Sequence, residues 1–193
     1  IYSAQSKEWS NLIYEFRKQT KLEVTFNIIQ APSETLKAKL KSGALDMAFI
    51  DEPLSNSELE FLPCWSQELK LLVNKQHPLA KKSSLSLDDL IGHYLISYDL
   101  QGPLGEDLAA LIDGKPLQVG YRYKDEITLA SIVLANPDVM ALACQSWLLK
   151  AYTDEIRLLS IDEAPKDFRQ LYIVYRLSAL QNSAVYEFLE LAK

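Results

Sequence analysis

Histidine and cysteine are the scarcest chemistry-bearing residues here, two of each in 193 positions. Cys64 and Cys144 lie far apart and neither has a CxxC partner. No disulfide framework or structural zinc site is therefore expected, and the pair reads as two buried, reduced thiols, with a redox-sensing pair as the lesser alternative. His77 and His93 have no ligand-like neighbours, which leaves no metal set and little capacity for acid–base work. A Gly-rich phosphate loop, a GxSxG elbow and a Cys–His–Asp constellation are all missing, so neither catalysis nor a cofactor is expected. Glycine is also sparse, at six residues, with no Gly/Ser linker, no low-complexity tract and no repeat of fixed period. The halves of the chain should therefore pack as lobes rather than hang as beads.

No apolar run is long enough to span a bilayer, and the N-terminus has no charged-then-apolar export signal. The chain opens on Ile1, which reads as a piece of a longer protein or a processed one. No block of Lys or Arg stands alone. The net charge is −6 and the pI is near 5.0. Lys37, Lys39 and Lys41 are the densest basic spot. A duplex-binding surface needs a basic stripe to displace counterions, so this segment is not expected to bind DNA by itself.

What is present is an ordinary globular composition, 48% apolar and 24% charged, in a length that suits one large domain or two small lobes. Strand and helix signals alternate, which argues for an α/β architecture with largely parallel sheets. Trp9, Leu12, Ile13 and Phe16 follow helical spacing behind Ser6 as N-cap. Leu22, Val24, Phe26 and Ile28 alternate as a strand. Ser33 is placed to cap a helix with Leu36 and Leu40 inward and Gly43 at its C-terminal left-handed position. Leu45–Ile50 and Leu69–Val73 read as buried strands. Ser86 with Asp89 resembles a capping box. A strand at Tyr94–Ser97, a helix over Leu104–Ile112 ending at Gly114, and alternation from Leu117 to Tyr123 follow. Asp125 caps a helix that ends before Pro137, Val139–Ala143 is a strand, and Ser146 starts a brief helix. Leu171–Tyr175 and a helix through Val185, Phe188, Leu189 and Ala192 complete the chain.

The stretch Leu36–Ala80 carries more than periodicity. It runs LKAKLKSGALDMAFID, then a loop, then LEFLPCWSQELKLLVNKQHPLA. A lysine-rich helix ending at Gly, a buried strand ending on an acid, and a later His-Pro-Leu-Ala resemble the effector-binding part of LysR-type transcriptional regulators. The resemblance covers nearly the whole chain. It implies a two-lobed, type II periplasmic-binding-protein-like fold, each lobe a mostly parallel sheet flanked by helices. By that topology, residues 1–74 and 170–193 form one lobe and 75–169 the other, with crossings near Asn74–His77 and Arg169–Tyr175. The chain departs from the family pattern at Ala135–Val139, where Asn136-Pro137 replaces a Gly-rich turn, and at Cys144, which stands at the usual proline position.

Ligands of open α/β sheets collect beyond the carboxyl ends of strands, where helix N-termini present unpaired amides. Four turns suit this: Ser3-Ala4-Gln5-Ser6, Gln30-Ala31-Pro32-Ser33, Ser97-Tyr98-Asp99-Leu100-Gln101-Gly102, and Lys124-Asp125-Glu126-Ile127-Thr128. The resemblance implies that the matching turns hold the effector. The candidate ligand-binding residues are Ser3, Gln5, Ser6, Ala31, Pro32, Ser33, Ser97, Tyr98, Gln101, Glu126 and Thr128. Ser6, Ser33 and Asp125 are also plain helix caps, and Tyr98 can simply pack on the sheet. Asp125 as a cap leaves Glu126 the freer acid. The four turns contain no arginine, whereas Asp51, Asp99, Asp125 and Glu126 lie at or beside them. That balance favours a small polar metabolite, a zwitterion among the options.

The family resemblance further implies a cytoplasmic homodimer. The Trp9–Gln19 and Glu126–Ala135 helices would form its contacts, and DNA would be reached only through an N-terminal helix-turn-helix that this chain does not include. The alternative is an extracytoplasmic solute-binding protein of an uptake system, which would share the fold.

Overall fold

The computed structural model of this protein describes residues 6–193. Its contacts divide into two compact units. The first comprises residues up to Trp65 together with Gln170–Lys193, and the second is Ser66–Arg169.

In the first unit, helix α1 (Ser6–Gln19) and helix α2 (Ser33–Lys41) precede strand β1 (Met47–Ile50) and strand β2 (Leu59–Gln67). Strand β9 (Arg169–Arg176) and helix α5 (Ser183–Ala192) close the unit from the far end of the chain. The strand order is β1-β9-β2, and β1 pairs antiparallel with β9, Phe49 opposite Ile173 and Ala48 opposite Val174.

Alternation along β1 and β9 divides the core between the two faces. Phe49 and Ile173 pack with Phe16 of α1 and Phe188 of α5. Ala48, Ile50 and Val174 turn the other way, onto Leu36 and Leu40 of α2. Each fully buried leucine or phenylalanine of this kind contributes about 1.5–3 kcal/mol relative to exposure. Pro63 lies within β2, which tolerates it because β2 is the outer strand of its sheet.

Two expectations are corrected in this unit. Residues 20–32 form no ladder, although Leu22–Ile28 alternates like a strand. Val24 and Phe26 do turn inward, and the Phe26 ring meets Phe16 edge-on with centroids 5.8 Å apart. Leu22 and Ile28 stay exposed, so the alternation records the partial burial of Val24 and Phe26 alone, without backbone pairing. Ser33 is the first helical residue and not the cap; that place is held by Pro32, with no side-chain cap bond. Gly43 does take the left-handed conformation after α2, at φ 78°.

The second unit holds strand β3 (Leu69–Asn74), strand β4 (Ser84–Leu85), strand β5 (Tyr94–Tyr98), helix α3 (Pro103–Ile112), strand β6 (Gln118–Tyr123), helix α4 (Glu126–Ala135), strand β7 (Val139–Cys144) and strand β8 (Ile156–Ile161). The six strands are ordered β4-β8-β3-β7-β5-β6. Strands β5, β6 and β7 run parallel, as do β4 and β8, whereas β3 is antiparallel to both neighbours. The six-stranded sheet is therefore parallel at three of its five pairings, with β3 the antiparallel exception, whereas the β1–β9 pair of the first unit is antiparallel rather than parallel as expected. Parallel pairing follows the helical crossovers of α3 and α4, while β3 and β9 enter without such a crossover and run the other way.

Strand β3 also corrects the expected lobe boundary. Its ladders join it to β7 and β8, so residues 69–74 belong to the second unit. β7 is buried along Met140–Cys144, and α4 lays Leu129, Ala130 and Val133 on the same core. No helix among the described residues is long and apolar enough to cross a membrane.

Candidate effector site

The carboxyl ends of the parallel strands β5, β6 and β7 converge in the second unit, the place where open α/β sheets receive ligands. Tyr98 ends β5 and Cys144 ends β7. Beyond β6, Asp125 caps α4 by accepting from the Thr128 N–H at 2.8 Å and from its hydroxyl at 3.0 Å. The capping aspartate thus consumes Thr128's polar hydrogens locally.

Glu126, the first helical residue of α4, is only 3% exposed. Burial pushes its carboxyl up from the ordinary range. Its own backbone N–H, the Arg169 guanidinium and Ser146 pull the other way, and Asp125 adds to the rise. Ser146 is near enough to favour the charged carboxylate, but no hydrogen bond of good geometry results. Glu126 Oε1 and Ser146 Oγ, both buried, have no partner.

Around this pair lies further buried polarity. Gln67 Nε2 donates to the Gln145 carbonyl at 3.1 Å, and Arg169 Nη1 stands 3.5 Å from Gln67 Oε1. Gln67, Ser146 and Arg169 are at most 9% exposed. Tyr98 is 3% exposed, and its phenol is held protonated chiefly by burial, with Cys144 and Glu126 adding to that and Arg169 opposing.

The other candidates fall as follows. Ser97 is fully buried and donates to the Leu142 carbonyl at 2.9 Å, so its hydroxyl ties β5 to β7. Gln101 is exposed in the turn before α3. Ser6 opens α1, and Ala31, Pro32 and Ser33 lead into α2, all in the first unit. Ser3 and Gln5 lie outside the described residues. The structure thus brings Tyr98 and Glu126 together in one electrostatic neighbourhood and adds Ser146, Gln67 and Arg169, which the sequence reading did not select. Arg169 had one signal, a lone cation opening a buried strand; Gln67 and Ser146 had none beyond their place at strand ends.

Among the described residues no group of three His, Cys, Asp or Glu is placed to hold a metal ion. The lysine cluster of α2 is partly neutralised, Lys37 pairing with Glu34 at 2.7 Å and with Glu52.

Comparison with known proteins gives this geometry its context. YybE, an HTH-type transcriptional regulator of Bacillus subtilis strain 168, is 30% identical over 137 residues, 70% of this chain and 47% of the relative. The chain therefore spans about half the length of that relative. The solved effector-binding domain of QuiR in complex with shikimate superposes with a TM-score of 0.82 at 23% identity, covering 99% of this chain and 91% of that one. The regulatory domain of CcmR from Synechocystis PCC6803, in complex with 2-PG, gives 0.75 at 18% identity, covering 98% and 91%. These likenesses share the two-lobed, periplasmic-binding-protein-like fold. The family model of the LysR substrate binding domain matches residues 4–193, and the chain belongs to that family.

Proposed function

We propose that this domain senses a small polar metabolite and that its occupancy controls DNA binding and transcription by a longer, cytoplasmic regulator. The match of the family model over residues 4–193 carries the reading. The polar cluster at the carboxyl ends of β5, β6 and β7 supports it, because buried, underused polar groups at that position are what a ligand would satisfy. Ligand binding shifts populations between arrangements of the domain, and the longer protein reads the shift through its DNA-binding part. The domain pairs with a second copy through α1 and α4, and it catalyses no reaction. An uptake-system solute-binding role gains nothing from the comparisons, since the matching family and the relative above are transcriptional regulators.

The test is a thermal-shift screen of the domain against amino acids, small carboxylates, aromatic acids, polyols and sugars. A ligand at about a hundred times its Kd stabilises the native state by about 2.7 kcal/mol, a visible shift. A flat screen with well-folded protein overturns the small-effector reading.

A further inference from the structure

The unpartnered oxygens of Glu126 and Ser146 constrain the ligand's chemistry. This inference rests on the effector-sensing reading and deepens it. Glu126 Oε1 sits in a residue 3% exposed and Ser146 Oγ in one 8% exposed; the two side chains are close enough for Ser146 to favour the charged carboxylate, yet neither atom meets a hydrogen bond of good geometry. Polar groups buried this deeply are normally paired, and the exceptions concentrate where a protein keeps a site ready for something else. The usual local donors are committed: the Thr128 amide and hydroxyl go to Asp125, and the Cys144 amide goes to Tyr98.

The charges facing Glu126 are one cation, Arg169, and one further acid, Asp125, with the Tyr98 phenol nearby held protonated by burial. A second carboxylate or a phosphate brought against an ionised Glu126 would set acceptor against acceptor and like charge against like charge, where burial already disfavours that charge. A donor would complete both open oxygens at once, because a carboxylate oxygen accepts and a serine hydroxyl can accept while turning its own hydrogen toward Glu126.

We propose that Glu126 and Ser146 form the receptor for a hydrogen-bond-donating head group of the ligand, a hydroxyl or an ammonium, and that an anionic head is rejected at this point. Any acidic group of the ligand is then directed away from α4's first residue.

The test titrates the domain with two matched series that share a carboxylate tail and differ only in the head. One is 4-hydroxybutyrate, 4-aminobutyrate and succinate; the other is 4-(hydroxymethyl)benzoate, 4-(aminomethyl)benzoate and terephthalate. These are run beside hits from the library screen, by calorimetry and thermal shift. Hydroxyl or ammonium heads are expected to bind roughly tenfold or more tightly than the dicarboxylates, and Glu126→Ala is expected to remove that preference. Because the variant also removes an unsatisfied buried carboxyl, its ligand-free melting temperature should equal or exceed that of the parent, which separates loss of binding from loss of folding. Glu126→Gln tells the two heads apart: a hydroxyl ligand keeps its affinity within about threefold, while an ammonium ligand loses about tenfold or more with the charge. A dicarboxylate that binds as tightly as the donors, or a ligand whose affinity is unmoved in Glu126→Ala, overturns this inference alone. If nothing in either series or the library shifts the parent domain, the effector reading falls and this inference with it.

Discussion

The phenol oxygen of Tyr98, at the end of β5, accepts the backbone N–H of Cys144, at the end of β7, over 2.8 Å. The two strands pair in parallel farther down, Ile96 opposite Ala141, so this bond finishes the ladder with a side chain where the backbone register runs out. Tyr98→Phe keeps the ring and removes this acceptor from the buried Cys144 amide. The expected loss is about 1–3 kcal/mol of stability, read by urea denaturation. A loss below a few tenths would mean that the amide finds another acceptor.

His77 ties folding stability to pH. Its Nδ1 accepts the Leu79 N–H at 3.2 Å, which fixes the neutral ring with its proton on Nε2, and its ring meets His93 edge-on with centroids 5.3 Å apart. Burial first, then His93, lowers its pKa below the ordinary 6.5, with Asp138 opposing. The unfolded chain therefore takes up this proton first as pH falls. His77's contribution is fully present above 6.5 and is lost as pH drops through 6.5 toward the folded value. His77→Asn retains an acceptor for the Leu79 amide and should flatten the stability difference between about pH 8 and about pH 5.5 relative to the parent. Equal slopes in both proteins would remove His77 from the account.

Neither cysteine is built to react. Cys64 Sγ lies 3.2 Å from the Leu171 carbonyl, and burial pushes its thiol up to about 12. At about pH 8 that leaves roughly one thiolate in ten thousand. Cys144 is fully buried. Iodoacetamide followed by mass spectrometry should find both thiols unlabelled in the native protein and both labelled in guanidinium. Native labelling of either one would reopen the question of redox sensing.

Two glycines give opposite expectations for the same substitution. A Cβ on Gly105 in α3 would come within 2.6 Å of the Asp99 carbonyl oxygen and closer still to the Leu100 backbone, neither of which can move without shifting the turn that carries Gln101. On Gly120 the collision is with the Tyr94 ring tip, in a side chain 42% exposed and free to swing away. Gly105→Ala should cost about 1–3 kcal/mol, and Gly120→Ala about half a kcal/mol or less. Melting temperatures of the two variants side by side check this.

The helices and most of the parallel strands were legible because amphipathic spacing and cap residues are local properties. Leu36 with Leu40, the Asp125 cap and Gly43 all behave as their neighbours demand. Strand β8, rich in Leu and Ile, and strand β2, interrupted by Pro63, were not recognised as strands, because what makes them strands is a partner distant in sequence. Conversely, Leu22–Ile28 had the pattern without the partner. Glu126 was visible at the candidate site as the acid left over after Asp125 capped the helix. Ser146, Gln67 and Arg169 were not, because they join the cluster through the ends of β7, β2 and β9, and no local pattern reports which strand ends will meet.

The division of the first unit between two distant segments sets an order of events during synthesis. Residues 66–169 form one uninterrupted segment, and everything that unit needs has left the ribosome before β9 is made. β1, by contrast, pairs with β9, so the first unit's sheet must wait until the whole second unit has been made. Until then α1, α2 and β1 hold apolar faces with no cover, and closing the sheet spans a loop of roughly a hundred residues. While the domain is being made, aggregation is therefore most favoured through the uncovered faces of α1, α2 and β1, and the emergence of β9 and α5 relieves that exposure.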